Sequence, residues 1–177
     1  VVSWATPYPQ LAGRLLADIA ADWGVSDEAA AERLMPAGAI YFMMDEDDVQ
    51  RILAFPPTMI GSDGMPHDEH PHPRLWSTFP RVLGHYSREL GLFPLHTAVN
   101  KMSGLPAAEL GIDRRGRIAA GYYADLVLFD PQTVQDSATF AQPRTRAEGI
   151  EKVWVNGQLA WADGEIRHQT AGQVIRR

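Results

Sequence analysis

The sequence predicts an α/β chain in which a βα repeat, and with it a parallel sheet, gives way at about residue 111 to an antiparallel β meander. Three observations carry this reading. Short apolar runs, "AIYFMM" and "TMIGSD", alternate with stretches of helical periodicity across short connections. Beyond residue 111 the apolar period shortens toward two. There the dipeptide Asn156-Gly157 sits between two alternating runs, as a hairpin turn requires.

The elements follow in order. "VVSWATPYP" opens the chain in a strand, without Met, which suggests a fragment or a processed product. In "PQLAGRLLADIAADWG", Leu11, Leu15, Ile19 and Trp23 recur every four residues beside Leu16 and Ala20, a helical stripe closed by Gly24. "SDEAAAERLM" begins a second helix at Ser26 and must stop before Pro36. "AIYFMM" has the length and aromatic content of a buried strand. "DEDDVQRIL" then places four acids where a helix N-terminus favours negative charge, with Val49, Ile52 and Leu53 on one face. "TMIGSD" reads as a further short strand ending at Asp63. "RLWSTFPRVLGHYSREL" gathers Leu75, Phe79, Val82, Leu83, Tyr86 and Leu90 on one side, with Pro80 expected to kink or restart the helix. "PLHTAVNKMSG" sets Leu95, Ala98, Val99 and Met102 together and ends at Gly104. "GRIAAGYYADLVLFD" and "KVWVNGQLAWADGEI" supply the β runs of the last third.

Composition narrows the function classes. A chain of 177 residues that is 45% hydrophobic and 21% charged has enough material for one cored domain with an appendage. A formal net charge of −6 argues against nucleic acid as a partner, and Asp113-Arg114-Arg115 reads as a charged turn. No apolar stretch reaches the ~18 residues of a membrane span, and no charged-then-apolar leader is visible, so the expectation is no membrane partner and a cytoplasmic default. The absence of cysteine removes disulfides, thiolate ligands and a Cys nucleophile. Neither a Gly-rich phosphate loop nor a G-x-S-x-G elbow occurs.

Chemistry concentrates in "GSDGMPHDEHPHPR". Asp63, ending a strand and followed by a glycine that permits a sharp turn, can hold a hard or borderline cation or take a proton from a water that such a cation activates. The competing reading is a turn cap, since Asp before Gly is common turn chemistry. His70 and His72 have the spacing of a ligand pair, but the prolines between and after them favour a solvent-facing polyproline-like loop. At most one of His67, Asp68 and Glu69 is expected near a cavity. Arg74, opening the next helix, can present a bidentate fork to a carboxylate. Met44 ends the preceding apolar run and borders the same edge, where core packing is the plainer role. His85, His96 and His168 read as surface or packing residues.

Taken together, "MIGSDGMPHDEHPHPRLWSTFPRVLGHY", "PLHTAVNKMSGLPAAELGI" and "RGRIAAGYYADLVLFDPQTVQDSATF" resemble the N-acyl-D-amino-acid deacylases of the amidohydrolase superfamily over most of the chain. The motif "GSDG-x-PHD" points to deacylases, while "G-x-I-x-x-G-x-x-ADLV-x-FDP" is shared by many amidohydrolases. The resemblance implies the last βα units of a (β/α)8 TIM barrel over residues 1–110, followed over 111–177 by the C-terminal part of a small β-sandwich. It implies zinc at the barrel mouth, with Asp63 approaching the metal and serving as general base and then acid. It implies Arg74 on the α-carboxylate of an N-acyl-D-amino acid and Met44 at the side-chain pocket. The other ligands of such a centre, a His-x-His pair, a Cys and two further histidines, belong upstream of this sequence. The expectation is therefore a segment that binds zinc poorly and lacks deacylase activity by itself. Alternatives are an amidohydrolase acting on cyclic amides, of the hydantoinase or dihydroorotase kind, and a non-catalytic assembly piece. Exposed strand edges predict self-association or a missing partner segment.

Overall fold

The computed structural model describes residues 1–175, which divide into two compact units. The first comprises Val1–Asp45, Ser62–Trp76 and Ala138–Arg146. It opens with strand β1 (Val2–Ala5), which pairs antiparallel with β2 (Ala37–Ala39). Between them lie a 3-10 turn at Pro9–Leu11, helix α1 (Leu16–Trp23) and helix α2 (Asp27–Leu34). The helical stripe expected from Leu11 onward starts only at Leu16. Gly13 adopts φ +88°, a left-handed conformation that no α-helix accommodates, so the chain turns there before the helix begins. Ser26 caps α2 as its sequence position suggests, accepting the Ala29 N–H at 3.3 Å. Ile19 and Leu34 pack with Val2 and Ala5 to form this unit's core.

The apolar run "AIYFMM" is not the buried strand that its length predicts. The ladder ends at Ala39, Ile40 is buried, and Tyr41, Phe42, Met43 and Met44 are 64–81% exposed. "TMIGSD" likewise forms no strand. Apolar length specifies a segment that seeks burial, but a strand exists only with a hydrogen-bonded neighbour along its length; the first run is paired only at Ala39 and Ile40, with Val2 and Val1, and in the second the Ile60 N–H donates to the Lys101 carbonyl. Every strand pair among the described residues is antiparallel, so the expected parallel pairing is not seen within them.

The second unit comprises Glu46–Gly61, Ser77–Ser137 and Ala147 onward. Helix α3 (Glu46–Ala54) begins on the predicted acids and turns Val49 and Leu53 toward the core, while Ile52 stays exposed. Helix α4 (Arg74–Arg81) runs without interruption into a π-helical stretch, Val82–Glu89. Pro80 lacks an N–H, so the i→i−4 ladder fails at that point, and the helix answers by widening instead of breaking. Val82, Leu83 and Tyr86 are buried there with Ile60, Phe93, Ala98 and Val134. Helix α5 (Leu95–Met102) stops two residues before the predicted Gly104, which instead starts helix α6 (Gly104–Glu109).

Lys101 is only 2% exposed, and its Nζ donates to the carbonyls of Phe55, Pro56 and Thr58 at 2.6, 3.3 and 3.2 Å. These groups follow the C-terminus of α3, where unpaired carbonyls favour a cation. The Ile60 N–H donates to the Lys101 carbonyl at 3.0 Å, so residues 55–60 are held from both ends of one residue.

The last third is the predicted meander: β3 (Leu126–Phe129), β4 (Ile150–Val155), β5 (Gln158–Ala162) and β6 (Glu165–Ile166) pair in sequence order. Asn156 and Gly157 have φ +51° and +79°, the paired positive angles of a type I′ hairpin turn. No helix among the described residues is long and apolar enough to cross a membrane.

Candidate active site

Asp63 and Arg74 lie in the same unit and are ion-paired, Arg74 Nη2 with Asp63 Oδ2, while Arg74 Nε donates to the Asp63 carbonyl at 3.3 Å. Gly64 makes this approach possible. A Cβ on Gly64 would stand 2.8 Å from the Cβ of Leu75, so only a glycine lets the turn after Asp63 lie against the start of α4. The two side chains are 72% and 50% exposed, and ion pairs of that exposure contribute about 0–1 kcal/mol. The pair therefore holds little of the fold together.

The histidine loop is not the solvent-facing segment that its prolines suggest. Pro71 is fully buried and His72 half-buried. Ser3 Oγ donates to Asp68 Oδ2 at 2.7 Å and to the His70 carbonyl at 2.8 Å, and the His70 N–H returns to the Ser3 carbonyl at 2.9 Å. On the other side, His70 Nε2 lies 2.6 Å from the Phe140 carbonyl, and Arg144 Nη2 donates to the Asp68 carbonyl at 2.7 Å. Asp68 and His70 are thus latches between β1 and residues 138–146. His67 and Glu69 are exposed.

His72 Nδ1 accepts the Arg74 N–H at 3.0 Å, and its ring meets Phe140 edge-on at 5.2 Å. Phe140 in turn packs edge-on against Phe42 at 4.8 Å. Burial holds the His72 imidazole below the ordinary histidine range; the Arg74 charge acts in the same direction, and the Asp63 carboxylate opposes it. Met44 stands at the end of the exposed 41–44 run and, among the described residues, shares none of the hydrogen bonds or ring contacts that join Asp63, His72 and Arg74.

No three His, Asp or Glu side chains among the described residues converge to hold a metal ion. The donor set does not fit a zinc centre on this chain alone, since Asp63 is one carboxylate where about three protein ligands are needed. A cleft of ≈ 510 Å³ lined by Leu110, Asp113, Arg115 and Tyr123 contains none of the predicted site residues. Asp63 and Arg74, both singled out in the sequence, are paired in the structure, whereas Phe140 was not singled out there and His72 was expected to face solvent. Phe140 is remote from the loop in sequence, the last residue of the run that begins at Arg115; only the fold carries residues 138–146 back to the loop.

The model of the amidohydrolase family matches residues 10–160. The chain is 61% identical over its whole length to a D-aminoacylase of Alcaligenes xylosoxydans xylosoxydans, of which it spans 37%. Among solved structures, a D-aminoacylase described as defining a novel subset of amidohydrolases superposes on all of the chain with TM-score 0.96 at 64% identity, the chain covering 37% of it. The N-acyl-D-glutamate deacylase of Bordetella bronchiseptica, complexed with zinc and a phosphonate mimic of the tetrahedral intermediate, superposes on 93% of the chain with TM-score 0.90 at 51% identity, the chain covering 35% of it. This α/β chain, just over a third as long as the relatives it matches, belongs to the amidohydrolase family.

Proposed function

We propose that this chain is the C-terminal segment of a zinc-dependent deacylase that cleaves the amide bond of N-acyl-D-amino acids to a carboxylate and a D-amino acid. The observation that carries the reading is the meeting of Asp63 and Arg74, an exposed acid and an exposed guanidinium fork at one corner. Asp63 takes a proton from the attacking water and delivers it to the leaving amine, since amide hydrolysis needs both transfers and one carboxylate can make them in turn. Arg74 leaves its weak pairing with Asp63 and receives the α-carboxylate of the substrate in a bidentate contact. Met44, apolar and exposed, lines the pocket for the substrate side chain. When zinc is bound, it supplies Lewis-acid polarisation of the scissile carbonyl, with Asp63 as this segment's contribution to its holding.

The architecture we infer is the last βα units of a (β/α)8 barrel over residues 1–110 and part of a β-sandwich over 111–177. The runs 41–44 and 58–63 support it, because both are apolar segments that form no strand here and a longer polypeptide would provide strand neighbours. The isolated chain binds zinc poorly, lacks deacylase activity and self-associates through the exposed 41–44 run. The longer polypeptide is cytoplasmic and engages neither membrane nor nucleic acid.

The test is hydrolysis of N-acetyl-D-methionine and its L-enantiomer by the purified 177-residue chain and by the longer polypeptide. Release of D-methionine by the longer form alone is expected. Turnover by the 177-residue chain, or preference for the L-substrate or for hydantoin, would overturn the reading.

A further inference from the structure

The first N–H groups of a helix have no partner within it. In α4 the first of these belongs to Arg74, because Pro73 has none, and it is His72 Nδ1 that accepts it at 3.0 Å. The His72 carbonyl also accepts the Leu75 N–H at 3.1 Å, so two contacts from one residue define how the helix starts. An imidazole accepts at Nδ1 only in its neutral Nε2–H form, the form that burial of this ring favours. The ring is itself held. Phe140 meets it edge-on at 5.2 Å, Phe42 braces Phe140 at 4.8 Å, and His70 Nε2 fixes the Phe140 carbonyl at 2.6 Å. A guanidinium on a long half-exposed stem can be aimed only as well as its backbone is anchored, and recognition by a planar fork fails at displacements of about an ångström.

We propose that His72 is a positioning residue for Arg74, fixing its backbone through Nδ1 while Phe140 fixes the imidazole, so that residues 138–146 govern how the arginine meets a substrate carboxylate. The part concerning substrate rests on the function proposed above; the part concerning the Arg74 amide does not. Asparagine at position 72 retains an acceptor that reaches an N–H two residues on, whereas leucine fills similar space without one.

The experiment uses the longer polypeptide carrying His72→Leu, His72→Asn, Phe140→Leu and, separately, Arg74→Met. Two readouts are taken: residue-resolved hydrogen exchange at the Arg74 amide, and kinetics on N-acetyl-D-methionine beside its primary amide, which lacks the carboxylate. His72→Leu is expected to speed Arg74 exchange at least about tenfold and raise KM for the acid about tenfold, with kcat moving less than about twofold and the amide substrate little affected. His72→Asn should restore both, and Phe140→Leu should give about a threefold rise in KM for the acid. Unchanged Arg74 exchange in His72→Leu would overturn the hydrogen-bond part, and equal KM rises for acid and amide would overturn positioning in favour of general disruption. If His72→Leu does not fold, Phe140→Leu decides: no change in Arg74 exchange or KM overturns the proposal. Should Arg74→Met leave KM for the acid unchanged, the carboxylate reading itself has failed, and positioning for substrate falls with it while the exchange data still judge the contact.

Discussion

Replacing Lys101 with methionine keeps an unbranched chain of similar length and deletes the ammonium that three carbonyls share. The contact to Phe55 at 2.6 Å is a full charge-assisted hydrogen bond, and those to Pro56 and Thr58 at 3.3 and 3.2 Å are weaker. With about 1.5–3 kcal/mol for the first and smaller increments for the others, the gross loss is about 3–5 kcal/mol. Two effects reduce it. Phe55 and Pro56 are exposed, so their carbonyls regain water, and the buried ammonium no longer bears the desolvation that holds its pKa below the ordinary lysine range. The net expectation is a loss of about 2 kcal/mol, equivalent to about a thirtyfold rise in local opening. Lys101→Ala should cost about 1–2 kcal/mol more, because it also leaves a void. The assay is hydrogen exchange at the Ile60 amide, which donates to the Lys101 carbonyl, with urea unfolding followed by circular dichroism alongside. An Ile60 exchange rate within about twofold of the parent, together with an unfolding change below about 0.5 kcal/mol, would refute the clamp.

Two further outcomes follow from the geometry around Asp63. Gly64→Ala forces a Cβ to within 2.8 Å of Leu75, an atom near the backbone with little freedom to retreat, and should destabilise the Asp63 turn by about 1–3 kcal/mol; an unfolding curve that overlays the parent would contradict that. Because the folded pKa of His72 lies below its unfolded value near 6.5, the unfolded chain binds more protons between the two, so stability falls as pH drops below about 6.5. The His72→Asn variant should lose that component, and an NMR titration midpoint for His72 at or above 6.5 would remove its basis.

Much of the fold was legible where the signal is local. The Ser26 cap, the acidic start of α3, and the Asn156-Gly157 turn each depend on residues within one turn of themselves, and each stands where the sequence puts it. The failures are of another kind. "AIYFMM" and "TMIGSD" carry the composition of strands, yet pairing is a property of two segments, and beyond Ile40 the first run forms no ladder while the second forms no strand at all. The helix through Pro80 was expected to kink or restart because a missing N–H usually breaks the ladder; the buried faces of Val82, Leu83 and Tyr86 keep it helical as a π stretch. At the candidate site, Asp63 draws notice because it precedes a glycine turn and Arg74 because it opens a helix, but their ion pair was not among the expectations. His72 was misjudged because proline neighbours suggest solvent, and nothing in the local sequence says that Phe140 covers it.

The central claim is that Asp63 moves the protons of amide hydrolysis, and the most direct measurement is kcat of the longer polypeptide carrying Asp63→Asn on N-acetyl-D-methionine, with zinc content determined on the same sample. Asparagine keeps the size and can still coordinate through its carbonyl but cannot accept the proton, so kcat should fall about 10²- to 10⁴-fold while the folded state persists. A kcat within about threefold of the parent at matched zinc content would contradict the account.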